Sequence, residues 1–151
     1  MRTPIKPILT TLLFFTVVAF AQEIGYWHAS SQTARTITGD IALSTEKLTV
    51  NFLAFPIARI RALTPAEIDA GFNPDPGTPG SASLYRLDVP AAQKFLHKNT
   101  LCGTDETKWM VTYVTGRVLH VALFSDDKPP VFTHEALTDS PTLCGTFAYE
   151  R

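Results

Sequence analysis

Two cysteines set the strongest constraint on how this chain can fold. They are the only two it has, and each sits in the same tetrapeptide, Leu101-Cys102-Gly103-Thr104 and Leu143-Cys144-Gly145-Thr146. A structural zinc site calls for two close Cys/His pairs. Here only His97, five residues upstream of Cys102, stands near either sulfur. A redox dithiol is normally spaced Cys-x-x-Cys, which is absent. In an oxidising compartment an even count reads first as a disulfide. The expected Cys102–Cys144 bond would close a loop of about 43 residues, worth roughly 4 kcal/mol by chain entropy. The repeated glycine lets the backbone turn or approach a neighbour closely beside each sulfur.

The start of the chain supplies that compartment. Arg2 and Lys6 form a basic n-region, an uncharged Leu-, Phe- and Val-rich run extends from Ile8 to Phe20, and Ala19-Phe20-Ala21 fits the small-x-small cleavage pattern. The run contains Thr10, Thr11 and Thr16 and is shorter than the ~20 apolar residues of a spanning helix. Residues 1–21 are therefore expected to be a cleaved signal peptide. Residues 22–151 form a single β-rich domain, periplasmic or secreted, with no stable membrane span after cleavage. No cysteine lies at the cut, as a lipoprotein would require. The leader holds two of the 13 basic residues and none of the 14 acidic ones, so eleven bases face 14 acids and the remainder carries a charge of −3. No basic run survives, which argues against nucleic acid as a partner. No basic amphipathic helix points to a membrane surface.

Short alternating segments dominate the rest. Leu48, Val50 and Phe52 are expected to face inward from one strand. In Ile57 to Leu63, Ala58, Ile60 and Ala62 occupy one face, and Ile57, Arg59, Arg61 and Leu63 the other. Tyr85, Leu87 and Val89 oppose Arg86 and Asp88. Lys108–Thr115 and Arg117–Phe124 read as a hairpin about Thr115-Gly116, with Leu119, Val121 and Leu123 as an apolar face. Trp109 beside Met110 puts bulk on both sides of its strand, as in a strand covered on both faces. The last strand runs from Leu143 to Tyr149. Ile24–Ala29, Arg35–Thr38 and Asp40–Leu43 are weaker strands. Thr64-Pro65-Ala66-Glu67 carries the signature of a capped helix that Gly71 ends, Pro90–His97 reads as a second helix, and Thr133–Leu137 as a turn or two. Gly71–Ser81 is an exposed Pro/Gly loop. The expected fold is mainly β, a small antiparallel barrel or sandwich with a few short helices, ahead of an α+β arrangement.

Chemistry is harder to find. His28, His97, His120 and His134 show no metal-ligand spacing, and no metal or other cofactor is implied. There is no Gly-x-Ser-x-Gly elbow and no phosphate-cradling loop. Asp126-Asp127, followed by Lys128-Pro129-Pro130, reads as a solvated loop. Arg59 and Arg61, two apart, would share one strand face and could line an anion site with Arg86, and Arg35 beside them; the plainer reading leaves them in solvent while Ala58, Ile60 and Ala62 face the core. Tyr26, Trp27, Trp109, Tyr113, Phe147 and Tyr149 could form a recognition patch, though such residues more often fill a β core.

Several segments together carry a resemblance: Thr38-Gly39-Asp40-Ile41-Ala42-Leu43, then Leu84-Tyr85-Arg86, Asn99-Thr100-Leu101-Cys102-Gly103, and the terminal Leu143–Tyr149. With the leader, they resemble a group of short exported bacterial proteins with paired LCG(T) motifs, to which no function attaches. The resemblance implies an envelope protein and carries no catalytic residue across. In size and disulfide alone the chain is also similar to small periplasmic barrels that inhibit lysozymes or secreted proteases. The expectation is a non-enzymatic binding or inhibitor-type protein, taking a protein or small ligand in the envelope. A small envelope hydrolase or isomerase ranks below it, as does a structural or assembly factor.

Overall fold

A computed structural model describes residues 23–151. The expected leader and its cut site lie outside the described residues. The elements are β1 (Gly25–Ala29), α1 (Gln32–Ile37), β2 (Ile41–Leu43), β3 (Lys47–Val50), β4 (Leu53–Ala62), α2 (Pro65–Phe72), β5 (Ser81–Val89), β6 (Thr107–Thr115), β7 (Val118–Phe124), α3 (His134–Thr138) and β8 (Leu143–Glu150). Each strand runs antiparallel to the next, and β8 returns to β1 through His28 opposite Glu150 and Ala29 opposite Tyr149. The eight strands of the described residues thus close into a barrel, which leaves no open sheet edge.

Period-two alternation fills the inside. Leu48 and Val50, Tyr85 and Leu87, Leu119, Val121 and Leu123, and Phe147 and Tyr149 join Trp27 and Met110 in one buried cluster. Eight strands leave an interior that side chains can just fill. Here they do: the void among Ile41, Val50, Val121, Phe147 and Tyr149 is only about 10 Å³. The upper mouth is stopped by Ala34 of α1 and by Phe95 and Leu101 of the β5–β6 connection, all packed on this cluster.

A second core lies outside the barrel wall. Ala82, Leu84, Trp109, Val111, Tyr113, Ala122 and Phe124 form it with Leu63 and Phe132, while Ile68 and Phe72 of α2 and Leu137 of α3 pack against it. Strand β6 is therefore covered on both faces, with Met110 inside and Trp109 outside, as its double bulk predicts.

Cys102 and Cys144 are disulfide-bonded, with Cα atoms 4.8 Å apart. The two matching tetrapeptides fold differently. Leu101 packs on the barrel cluster and Gly103 turns at φ 64°, whereas Leu143 packs on the outer core. Gly145 lies opposite Leu123 and Leu143 opposite Phe124, so Cys144 is the extra residue of a bulge. Such a bulge re-aims a side chain; here it releases Cys144 from the ladder, toward the loop that carries Cys102.

Several expectations need correction. Arg35–Thr38 lies mostly in a helix, because Ser31 Oγ caps the Ala34 amide at 3.1 Å and Ala34 buries under the barrel mouth. Pro90–His97 is not a helix. Phe95 turns into the barrel mouth, its ring 5.9 Å from Phe55, and only one 3-10 turn, Leu96–Lys98, follows. Gly71 lies within α2, and Asn73, left-handed at φ 42°, ends it. Phe52 does not face inward. It occupies a two-residue turn, and the inward set of β4 begins at Phe55.

Arg59 and Arg61 do not share a face. Arg59 lies opposite Tyr85 and Arg61 opposite Leu84, so Ile60 is an extra residue in the strand. Ala58, Ile60 and Ala62 are exposed instead of facing the core, because Phe55 and Ile57 set the inward phase of β4 and the bulge follows at Ile60.

Candidate functional site

Of the two tight two-residue turns in the barrel, the one between β3 and β4 is the unusual one. Val50 pairs with Leu53, so only Asn51 and Phe52 connect β3 to β4. Both have positive φ, 48° and 66°, as a two-residue hairpin turn of the primed type demands. Asn tolerates this conformation. Phe does not, because its Cβ crowds the following carbonyl at a cost of roughly 1–2 kcal/mol. No burial offsets that cost, since Phe52 is 98 % exposed.

Strain gathers around this turn. Five non-glycine residues among those described have positive φ: Asn51, Phe52, Asn73, His97 and Lys98. Asn51 and Phe52 line a groove of about 260 Å³ together with Leu96, which directly precedes His97 and Lys98. Tyr26, Thr38, Gly39 and Asp40 are also among its walls. Gly39, at φ 63°, presses on Leu96; an added Cβ would lie 3.1 Å from Leu96 Cδ1. This corner of the groove is therefore fixed by close packing.

Asp40 organises the opposite wall. Its carboxylate accepts from the Ala29 amide at 2.9 Å and the Tyr26 hydroxyl at 2.9 Å, and meets His28 Nδ1 at 3.1 Å. The Ala29 amide first, then the Tyr26 and His28 bonds, hold this carboxyl below the usual carboxylate range. The same bond to Asp40 pushes the Tyr26 phenol up. Tyr26 stands edge-on to the His28 ring, 5.1 Å between centroids, and remains 56 % exposed. Of the six aromatics considered as a patch, Tyr26 is thus the exposed one; Trp27, Trp109, Tyr113, Phe147 and Tyr149 are buried.

The other candidate residues disperse. Arg59 Nε donates to Ser83 Oγ at 3.2 Å at the lower mouth. Arg61 makes a bidentate pair with Glu67 of α2, both bonds 2.8 Å. Arg86 bonds Asp88 at 2.8 Å and covers the Trp109 ring at 5.0 Å. The three guanidinium groups form no common anion site. His97 Nδ1 lies 3.1 Å from the Thr36 carbonyl oxygen. His120 stacks on Tyr113, 6.0 Å between centroids, and burial lowers its pKa.

A groove of about 380 Å³ separates α2 from α3 and is floored by Val111, Ala122 and Phe124. Of the histidines and of Asp126 and Asp127 it holds His134 alone, and a second groove, beside the β7–β8 connection, holds Asp126 alone. Neither brings together the pair that a hydrolase reading needs. Among the described residues no three potential metal ligands converge, and no helix is long and apolar enough to cross a membrane. Comparison with known protein families, curated proteins and solved structures finds no match.

Proposed function

We propose that this is an exported, non-enzymatic binding protein that holds a protein partner by inserting Phe52 into an apolar pocket of that partner, in the manner of an inhibitor. The carrying observation is Phe52 itself, a large apolar side chain in full solvent on a left-handed backbone. Local strain of this kind persists where it serves a site. A few anchors, aromatic ones prominent among them, that fill pockets of the partner supply most of the energy of many interfaces. The packed barrel supports a surface mode of binding, since a 10 Å³ void holds at most one water. Export is supported by the leader pattern, and the Cys102–Cys144 disulfide is compatible with it.

The test compares the native protein with Phe52→Gly against a panel of lysozymes and secreted proteases, and in affinity capture from envelope extract. A partner that binds the native protein and loses about 30-fold in affinity with the variant supports the reading; a hot spot of roughly 2 kcal/mol corresponds to that factor. A partner held equally by both forms, or no specific partner at all, overturns it.

A further inference from the structure

The lower mouth of the barrel holds a second polar arrangement, remote from Phe52 and independent of its role. Glu23 precedes β1 and is only 6 % exposed. Its carboxylate accepts from Ser83 Oγ at 2.8 Å, the Tyr85 hydroxyl at 2.7 Å and Thr112 Oγ1 at 2.9 Å. Arg59 reinforces the set through its 3.2 Å bond to Ser83 Oγ. The Glu23 carbonyl oxygen accepts from Trp27 Nε1 at 2.8 Å, which fixes the segment that delivers the side chain.

The donors belong to barrel strands and the acceptor to the segment that leads into β1. Ser83 and Tyr85 stand on the inward face of β5, and Thr112 on the inward face of β6. They lie 60, 62 and 89 residues from Glu23 along the chain. Three buried hydroxyl donors converging on one point would be costly without an acceptor there. A carboxylate, with two oxygens and several lone pairs, satisfies them together. Beside this niche is a cleft of about 280 Å³ lined, among the described residues, by Glu23, Ile24, Thr45, Arg59 and Tyr85. The Ile24 side chain and the Tyr85 ring give that cleft apolar surface.

We infer that the lower mouth is a monocarboxylate-binding site which the chain fills in cis with Glu23, and that the adjoining cleft accommodates the apolar tail of a free acid when Glu23 is absent. The niche recognises the carboxylate through Ser83, Tyr85 and Thr112, and the cleft selects for a short hydrocarbon chain.

Thermal unfolding of Glu23→Ala in sodium formate, acetate, propionate and butyrate, with chloride at matched ionic strength, tests this. The variant melts below the native protein, and the acids restore its Tm in order of tail length. Each added methylene tightens binding about fourfold, the equivalent of the ~0.8 kcal/mol gained on burying one. The native protein responds to the acids no more than to chloride, because Glu23 already occupies the niche. Adding Ser83→Ala and Thr112→Val to Glu23→Ala abolishes the response. Restoration by chloride alone, or an unchanged response in the triple variant, overturns the inference. Should Glu23→Ala not fold unaided, its refolding yield from urea in butyrate against chloride gives the same reading, and equal yields overturn it.

Discussion

The Tyr149 phenol and the Thr38 hydroxyl meet 2.7 Å apart inside the barrel, across 111 residues of chain. Both residues are buried, and burial is the first cause that pushes the phenol's pKa up. Thr38 Oγ1 also lies 2.9 Å from the Gly39 carbonyl oxygen and 3.2 Å from that of Ala34. Its single proton serves one of those carbonyls, so its oxygen accepts from Tyr149. The two ends of this bond are therefore unequal. Thr38→Val strands a buried phenol and costs about 1–3 kcal/mol, whereas Tyr149→Phe leaves Thr38 its carbonyl and costs about 1 kcal/mol. Urea unfolding of the two variants checks the order, and equal losses would contradict the assigned proton direction.

The disulfide fixes the other side of the upper mouth. It joins residues separated by 42 positions, and Thr107 Oγ1 donates to Cys102 Sγ at 3.1 Å. Cys102→Ala with Cys144→Ala is expected to lower stability by up to about 4 kcal/mol, the loop-closure value. Denaturant titration measures it. A loss below ~1 kcal/mol would mean that burial of Phe95 and Leu101 holds the connection without the crosslink.

Acid should weaken the seat of α2. Arg61 and the Thr64 amide both donate to Glu67, and Arg61 is the chief cause that holds its carboxyl down at about 2. A carboxyl depressed in the folded state stabilises fully above its unfolded value, roughly 4.3, and that contribution disappears as pH falls toward 2. With Arg61 nearly half exposed, the effect is at most about 1 kcal/mol. Glu67→Gln should flatten the stability profile between pH 5 and 2 relative to the native protein. Parallel profiles would remove the ion pair from the account.

Gly71 is the penultimate residue of α2, and packing does not demand a glycine there. A Cβ there would meet Leu137 Cδ1 at 3.8 Å and Phe132 Cδ1 at 3.9 Å, ordinary contact distances. Gly71→Ala is expected to stabilise by up to about 0.5 kcal/mol, a part of the helix-interior preference for alanine. It also adds a methyl group to the wall of the α2–α3 groove. A rise in Tm checks the first effect; a fall would show that the helix needs glycine's freedom here.

Legibility in the sequence follows the range of the forces involved. One-sided burial imposes period two, so the inward sets Leu48/Val50, Tyr85/Leu87/Val89 and Leu119/Val121/Leu123 could be read locally. The Thr64–Glu67 capping box was equally local. Ile60 was not, because its bulge is decided by how β4 meets β5 across the barrel. That one residue separates Arg59 from Arg61 and removes the anion site their spacing suggested. Glu23 carried no signal at all, since its three donors come from distant β5 and β6. Phe52 misled for a different reason. It continues the Leu48/Val50 alternation, and only Asn51 before it hints at a turn.

That turn permits the sharpest separation of stability from recognition. Asn51-Phe52 occupies a geometry for which Asn-Gly is the favoured pair. Phe52→Gly removes the Cβ conflict, worth roughly 1–2 kcal/mol, against glycine's added unfolded-state entropy of about 0.5–1 kcal/mol. No packing is lost, because the ring is almost wholly in solvent. The variant should therefore be as stable as the native protein or more so, by up to about 1 kcal/mol, in denaturant titration. Phe52→Ala keeps the Cβ and gains nothing from relief of that conflict. If Phe52→Gly is instead destabilised by more than ~1 kcal/mol, the ring has a structural role and strain retained for binding is no longer the explanation. If it is stabilised while the partner is lost, the native chain keeps a strained, almost wholly exposed residue for the sake of the contact it makes.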